Sequence, residues 1–260
     1  MNNEILSKSN PRVKFIKRLL TSSKQRLESG LFAVEGVRLC YDIVRSGIKA
    51  RELYYTQAAY KKSAELIDEL KDTANESFVV SDEAFCKMTD TVTPQGVLCV
   101  LDMPKSELVI KRNGKYIVLC DVQDPSNLGA VARTAEAFAV DGIVVCGGCD
   151  IYNSKALRAS MGAFFRIPTV VMSVENMLNS FRDKNIVTYA STPDSNAVSI
   201  AECDFSSGCA MLVGNEANGL KSEVINACDK AVTIPMSGRA ESLNASVAAS
   251  ILMYEMVKQK

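Results

Sequence analysis

The chain has 260 residues, 47% of them hydrophobic, with 30 basic and 30 acidic side chains and a formal net charge of zero. That is enough apolar content for real cores, and too little bias for a disordered, fibrous or wholly polycationic protein. The chain contains no histidine, which excludes Ser-His-Asp triads, Cys-His dyads, His-ligated zinc and histidine general bases.

The first residues, "MNNEILSKSN", place no apolar stretch behind their charges. No apolar run anywhere approaches the roughly 18 to 20 residues that span a bilayer. A soluble, cytoplasmic protein is expected. Within residues 1 to 26, seven basic side chains (Lys8, Arg12, Lys14, Lys17, Arg18, Lys24, Arg26) face a single acid, Glu4. Such a stretch is either a solvated helix face or an arm that attracts phosphates. Helix-like and strand-like pieces then alternate: "VKFIKRLL", "LFAVEG", "VRLCYDIVRSG", "ELYYT", a charged helical stretch over 58–70, "SFVV" and "GVLCVL". This alternation predicts a small α/β domain over residues 1–103. The polar segment "DMPKSELVIKRNGK" marks a junction, with the linker placed at 104–114.

The second domain, 115–260, is more regular. Strands are predicted at 116–122, 142–147, 169–172, 186–192, 209–214 and 231–235, with helical patterns between most of them. Their continuous apolar runs suit a mostly parallel sheet covered by helices on both faces, with ligands beyond the carboxyl ends of the strands. Nine cysteines, an odd number spread over both domains, suit buried thiols in a reducing compartment. "CGGC" (Cys146 to Cys149) is the only C-x-x-C and lacks the second pair that a four-ligand metal site needs.

Three corners of this domain carry polar residues suited to chemistry. In "DPSNLGAVAR" (124–133), Asn127 can cap a helix, and Arg133 follows among alanines with room to turn its fork of donors toward a phosphate or carboxylate. In "LVGNEANGL" (212–220), Gly214 and Gly219 have phosphate-loop spacing, but Leu220 and Lys221 stand where that loop needs Lys and then Ser or Thr. Glu216 there is either a solvated acid in a turn or part of a small-ligand site. In "TIPMSGRAESLNASVAAS", Ser242 or Asn244 can cap a final helix.

Taken together, "NLGAVARTAEAF", "LVGNEANGL" and "IPMSGRAESLNASVAASILMYE" closely resemble the three motifs of the SpoU/TrmH family of S-adenosylmethionine-dependent RNA 2'-O-ribose methyltransferases. "KALRASMGAFFRIP" resembles a stretch between its first and second motifs. "SNPRVKFIKRLL" and "GLFAVEGVRLCYDIV" are similar to its accessory RNA-binding domain. The resemblance implies a deep trefoil knot in the C-terminal domain, dimerisation through that knotted region, and the cofactor S-adenosylmethionine held there with no metal. It implies a catalytic set of Asn127, Arg133, Glu216, Ser242 and Asn244. Cofactor contacts would come from Thr192, Gly214, Ile234, Met236 and Leu243. RNA contacts are expected from Arg12, Lys14, Lys17 and Arg18. The implied reaction is methyl transfer to a ribose 2'-hydroxyl of structured RNA, with 23S ribosomal RNA expected ahead of transfer RNA. In the family the counterpart of Arg133 is proposed as general base. Removing a guanidinium proton at neutral pH costs roughly 7 kcal/mol, so Arg133 is expected instead to clamp a phosphate and stabilise the alkoxide, with Asn127 orienting it. A non-catalytic ribosome-assembly factor of the same fold is the main alternative. A nicotinamide-dependent dehydrogenase lacks its G-x-G-x-x-G.

Overall fold

The computed structural model describes residues 4–105, 107–194 and 196–258. The chain forms two compact units, Met1–Lys105 with Tyr152–Gly162, and Ser106–Ile151 with Ala163–Lys260.

The first unit runs β1 (Glu4–Ile5), α1 (Pro11–Thr21), α2 (Ser23–Ser29), β2 (Leu31–Glu35), α3 (Val37–Arg45), β3 (Ala50–Tyr55), α4 (Gln57–Thr73), β4 (Glu76–Val80), α5 (Asp82–Met88) and β5 (Val97–Asp102). Its five strands lie in the order β1-β4-β3-β5-β2. The pairs β1–β4 and β4–β3 are parallel, and the remaining two are antiparallel. Asn10 caps α1 through its side chain and Pro11 fills the first helical position, where no backbone donor is needed. Val13, Ile16, Leu19 and Leu20 then recur on one side of the helix and bury against Tyr54, Phe78, Leu98 and Val100 of the sheet. The opposite side carries Lys14 and Arg18.

Two acids, one of them buried, organise this unit's loops. The carboxylate of Glu35, at the end of β2, is only 5% exposed. It accepts hydrogen bonds from Thr91 Oγ1 at 2.8 and 2.9 Å and from the Gln95 amide at 3.2 Å, fixing the 89–96 turn. Asp90 accepts from Ser154 Oγ at 2.6 Å and from Arg158 at 3.3 Å. These bonds, together with Phe32 and Tyr152 rings 5.0 Å apart, account for the segment 152–162 joining the first unit although its sequence neighbours belong to the second.

The second unit continues β6 (Lys115–Cys120), α6 (Pro125–Ala137) and β7 (Gly142–Cys146), after which α7 (Ser154–Ser160) lies with the first unit. It resumes with β8 (Thr169–Val171), α8 (Val174–Arg182), β9 (Val187–Ser191), β10 (Val198–Ser199), β11 (Cys209–Val213), α9 (Ser222–Ala227), β12 (Lys230–Thr233) and α10 (Ala245–Lys258). All seven strands are parallel, in the order β10-β12-β9-β11-β6-β7-β8. The mostly parallel α/β sheet expected from the apolar runs is therefore present, and the six expected strands match within one or two residues at each end. On one face Tyr116, Val118, Val144, Ala210 and Leu212 pack against Met177, Leu178 and Phe181 of α8 and Val224 of α9. The alternate residues Ile117, Leu119 and Met211 are equally buried and point to the other face. There α10 packs on α6, β6 and β11. No helix among the described residues is long and apolar enough to cross a membrane.

Candidate active site at the carboxyl ends of the strands

Asp124 caps α6, its carboxylate accepting from the Ser126 amide at 2.8 Å, and Pro125 occupies the first helical position. The expectation that Asn127 caps this helix is thus corrected. Proline at N1 places the cap three residues earlier, at Asp124, and Asn127 lies inside the first turn, 7% exposed.

From that position both ends of the Asn127 amide are used. Its Nδ2 donates to Glu216 Oε1 at 3.0 Å, and its Oδ1 accepts from Asn244 Nδ2 at 3.0 Å. Glu216 also accepts the Gln123 amide at 3.1 Å and the Asp124 amide at 3.0 Å. Its carboxylate therefore sits at the amino end of α6 and takes up backbone donors that the helix leaves without intrahelical acceptors. Asn244 in turn caps α10, accepting from the amides of Ser246 at 2.9 Å and Val247 at 3.3 Å. One hydrogen-bonded chain, Glu216–Asn127–Asn244, ties together all three corners singled out in the sequence.

Burial works to raise the Glu216 carboxyl. The hydrogen bonds from Asn127 and from the amides of Asp124, Gln123 and Glu216 itself outweigh it and hold the group below its ordinary value of 4.5. A group depressed on folding stabilises fully above its unfolded value and loses that contribution as the pH falls through the folded one. Denaturation curves taken from pH 7 downward should show the parent protein ahead of Glu216→Gln at neutral pH, with the gap closing below 4.5. A gap independent of pH would contradict this assignment.

The loop that presents Glu216 is built for rigidity. Asn215 and Gly219 exchange two backbone hydrogen bonds at 3.0 and 2.9 Å. Asn215 Oδ1 accepts the amides of Ala217 and Asn218. Its Nδ2 reaches across to the Asp121 carbonyl at 3.0 Å. Asp121 itself is left-handed, with φ 56°. It is pinned by its own amide on the Cys146 carbonyl at 3.0 Å and by Lys221 on its carboxylate at 3.3 Å. That strained residue aims the following amides at Glu216. Sequence reasoning passed over Asp121 and Asn215. The Asn-Glu-Ala-Asn-Gly run was a usable signal for an Asx turn, whereas nothing local marks a left-handed aspartate.

Beside this corner lies a cleft of about 400 Å3. Thr192 after β9, Gly214 after β11, Ile234 and Met236 after β12, and Leu243 before α10 all line it, with Ser242. The five cofactor-contact candidates and two catalytic candidates, Ser242 and Glu216, are thus gathered from four separate segments into one place. Arg133 is the exception. It falls in the third turn of α6, exposed, lines neither this cleft nor the hydrogen-bonded chain, and makes no hydrogen bond or ion pair among the described residues. The expectation that Asn127 orients it is not met, because the amide of Asn127 is already spent on Glu216 and Asn244. In the first unit the four basic candidates divide. Arg12 is engaged by Glu52, Glu76 and the Tyr54 hydroxyl over the ring of Phe78, and Lys17 donates to the Thr89 carbonyl at 2.5 Å. Lys14 and Arg18 are exposed.

Residues 114–254 match the model of the SpoU rRNA Methylase family, over half of the chain. The chain belongs to that family. Residues 10–99 match an MRM3-like substrate binding domain. Over 254 residues this SpoU methylase is 32% identical to the 23S rRNA (guanosine(2553)-2'-O)-methyltransferase RlmP of Bacillus subtilis, covering 97% of this chain and 98% of that one. It is 29% identical to the 23S rRNA (uridine(2479)-2'-O)-methyltransferase of Streptomyces viridochromogenes, covering 98% and 92%. The crystal structure of the SpoU methyltransferase AviRb from Streptomyces viridochromogenes, in complex with AdoMet, superposes with a TM-score of 0.86 at 28% identity, over 96% and 98% of the two chains. SpoU methyltransferases carry a trefoil knot, and in this SpoU methylase the segments that follow β9, β11 and β12 line one cleft.

Proposed function

We propose that this SpoU methylase transfers a methyl group from S-adenosylmethionine to a ribose 2'-hydroxyl of 23S ribosomal RNA, acting in the cytoplasm as a homodimer. The observation that carries this reading is the Glu216–Asn127–Asn244 chain standing beside the cleft that gathers Thr192, Gly214, Ile234, Met236 and Leu243. Those residues fit a nucleoside cofactor: apolar side chains from two segments meet the backbone of a glycine too crowded to carry a side chain.

When bound, S-adenosylmethionine supplies an electrophilic methyl on a sulfonium sulfur. The protein's own task is to position the ribose and stabilise charge. Glu216, Asn127 and Asn244 are positioning residues that hold the three loops in register, and Ser242 lines the cleft where the hydroxyl approaches. Arg133, exposed and unpaired among the described residues, offers its planar fork to the phosphate beside the target ribose and to the developing alkoxide. The hydroxyl proton leaves through that phosphate or through water.

Residues 1–103 bind the RNA, 104–114 connect, and 115–260 carry out the transfer. In the first part Lys14 and Arg18 are the side chains available to phosphates, while Arg12 and Lys17 already serve the fold. Replacing both Lys14 and Arg18 by Gln should weaken RNA binding and reduce the slope of log K against log salt by about 1 to 2, with cofactor affinity unchanged. An unaltered slope would remove these two from the interface. Dimerisation is supported by the apolar residues that α10 leaves open, Val247 at 47% and Tyr254 at 53% exposure, the latter against the Phe138 ring at 6.0 Å. Two basic arms then serve one RNA, which reconciles zero net charge with a polyanionic substrate. Incubation with labelled S-adenosylmethionine and ribosomal RNA tests the activity; failure to label any RNA would overturn it.

A further inference from the structure

A second cleft, of about 660 Å3, opens on the opposite side of the 215–219 loop, between α8 and α9. Asn215, Asn218 and Gly219 border both clefts, and Gln123, whose amide binds Glu216, lines the second. Its volume falls within the roughly 300–1,000 Å3 typical of small-molecule sites, and neither the cofactor residues nor the catalytic candidates Arg133 and Ser242 enter it.

The chemistry of its walls is specific. Leu178 and Val224, both buried, give an apolar floor. Around them stand the amides of Asn179 and Asn218 and the carboxylates of Glu175 and Glu223. The amide nitrogen of Asn179 and the side chain of Asn218 have no partner among the described residues. The guanidinium of Arg182 is tethered to Asn179 Oδ1 at 3.4 Å. Two cations, Arg182 and Lys221, are outnumbered by three acids, Asp121, Glu175 and Glu223, and Lys221 is already paired with Asp121. A phosphate is poorly suited to such a site. A flat, uncharged ring with donors and acceptors on its edges is well suited: apolar on its face, met by amides and carboxylates at its rim, with a guanidinium able to stack on it.

We propose that this cleft holds a nucleobase of the substrate RNA, taken out of the stack, from a nucleotide adjoining the one whose ribose is methylated. The inference rests on the reading of the protein as an RNA methyltransferase and deepens it: the cleft would contribute to the choice of nucleotide. The 215–219 loop borders both clefts, so a strand whose ribose reached the first cleft would bring a neighbouring base within reach of the second.

The test uses the full chain with Asn179→Ala and Glu223→Gln, alone and combined. These side chains are exposed, so folding should be retained, and equal melting temperatures check it. The probe is a 23S ribosomal RNA fragment containing the methylated nucleotide, made also with single abasic nucleotides at each neighbouring position. RNA binding is read by filter retention, which needs no turnover, alongside kcat/KM for RNA and the Kd of S-adenosylmethionine. The expected result is about a tenfold loss of RNA affinity in the double variant with cofactor Kd unchanged. One abasic position should cost the parent protein a similar factor and cost the double variant nothing further. Parent-like RNA affinity in the double variant, or abasic losses that remain the same in it at every position, would overturn the proposal. Absence of methyl transfer by the parent protein would count against the activity itself, and the binding measurements would still decide the cleft.

Discussion

An Arg133→Lys variant is expected to bind S-adenosylmethionine like the parent protein and to methylate RNA about a hundred- to a thousand-fold more slowly, the loss typical of removing one preorganised donor from a developing oxyanion. Lysine keeps the charge but replaces the planar fork with a single point, and a phosphate and an alkoxide cannot both be held by it in fixed geometry. The side chain is exposed and bears no hydrogen bond among the described residues, so the substitution should leave the melting temperature unchanged. Arg133→Ala should lose at least as much. Isothermal titration with the cofactor and single-turnover methyl transfer separate the two effects. Near-normal turnover in the lysine variant would show that charge alone suffices and would remove the clamp.

Gly214→Ala is expected to abolish cofactor binding and to lower stability by about 1 to 3 kcal/mol, the usual cost of forcing a side chain into packed surroundings. A Cβ at this position would lie well under 3.0 Å from the backbone of Gly219 and Leu220. These are main-chain atoms, locked by the two hydrogen bonds between Asn215 and Gly219, and they cannot yield as a flexible side-chain tip would. Relief requires the whole 215–219 turn to move, which withdraws Glu216 from the amino end of α6 and opens the cofactor cleft. Gly219→Ala is the informative contrast. There the space is open but φ is +65°, so the cost is the milder left-handed penalty of about 1 to 2 kcal/mol. Thermal unfolding and cofactor titration of the two variants should rank them in that order.

Much of this was legible in the residues. The buried parallel strands announce themselves because β6, β7 and β11 are apolar on both faces, and a run such as "YIVLC" leaves few alternatives. The site was legible as three polar corners because Asn127, Glu216 and Asn244 each follow a strand or precede a helix. Their mutual hydrogen bonds were not, since a contact between residues 89 and 117 positions apart depends on strand order. The same limit explains the misplaced cap. Asp124 and Asn127 are both good capping residues, and only the proline between them decides which starts α6. The mechanism expected from the sequence pairs Asn127 with Arg133, whereas the fold spends Asn127 on residues far along the chain. Elements β1 and β10, two residues each, carry no periodicity to read. The attachment of α7 to the first unit rests on Asp90 meeting Ser154 and Arg158, a tertiary pairing with no local trace. Arg12 and Lys17 show the converse: a basic run reads as a nucleic-acid surface until acids and carbonyls from other elements claim part of it.

The most direct test of the central claim is chemical. Ribosomal RNA from cells lacking the gene is incubated with the purified protein and S-adenosylmethionine labelled in its methyl group, then hydrolysed in alkali. A methyl on a ribose 2'-oxygen removes the nucleophile that alkali uses to cleave the adjoining phosphodiester, so the label should emerge in one alkali-resistant dinucleotide derived from 23S ribosomal RNA. Label released in ordinary mononucleotides, which would place the methyl on a base, or no label in RNA at all, would contradict the account.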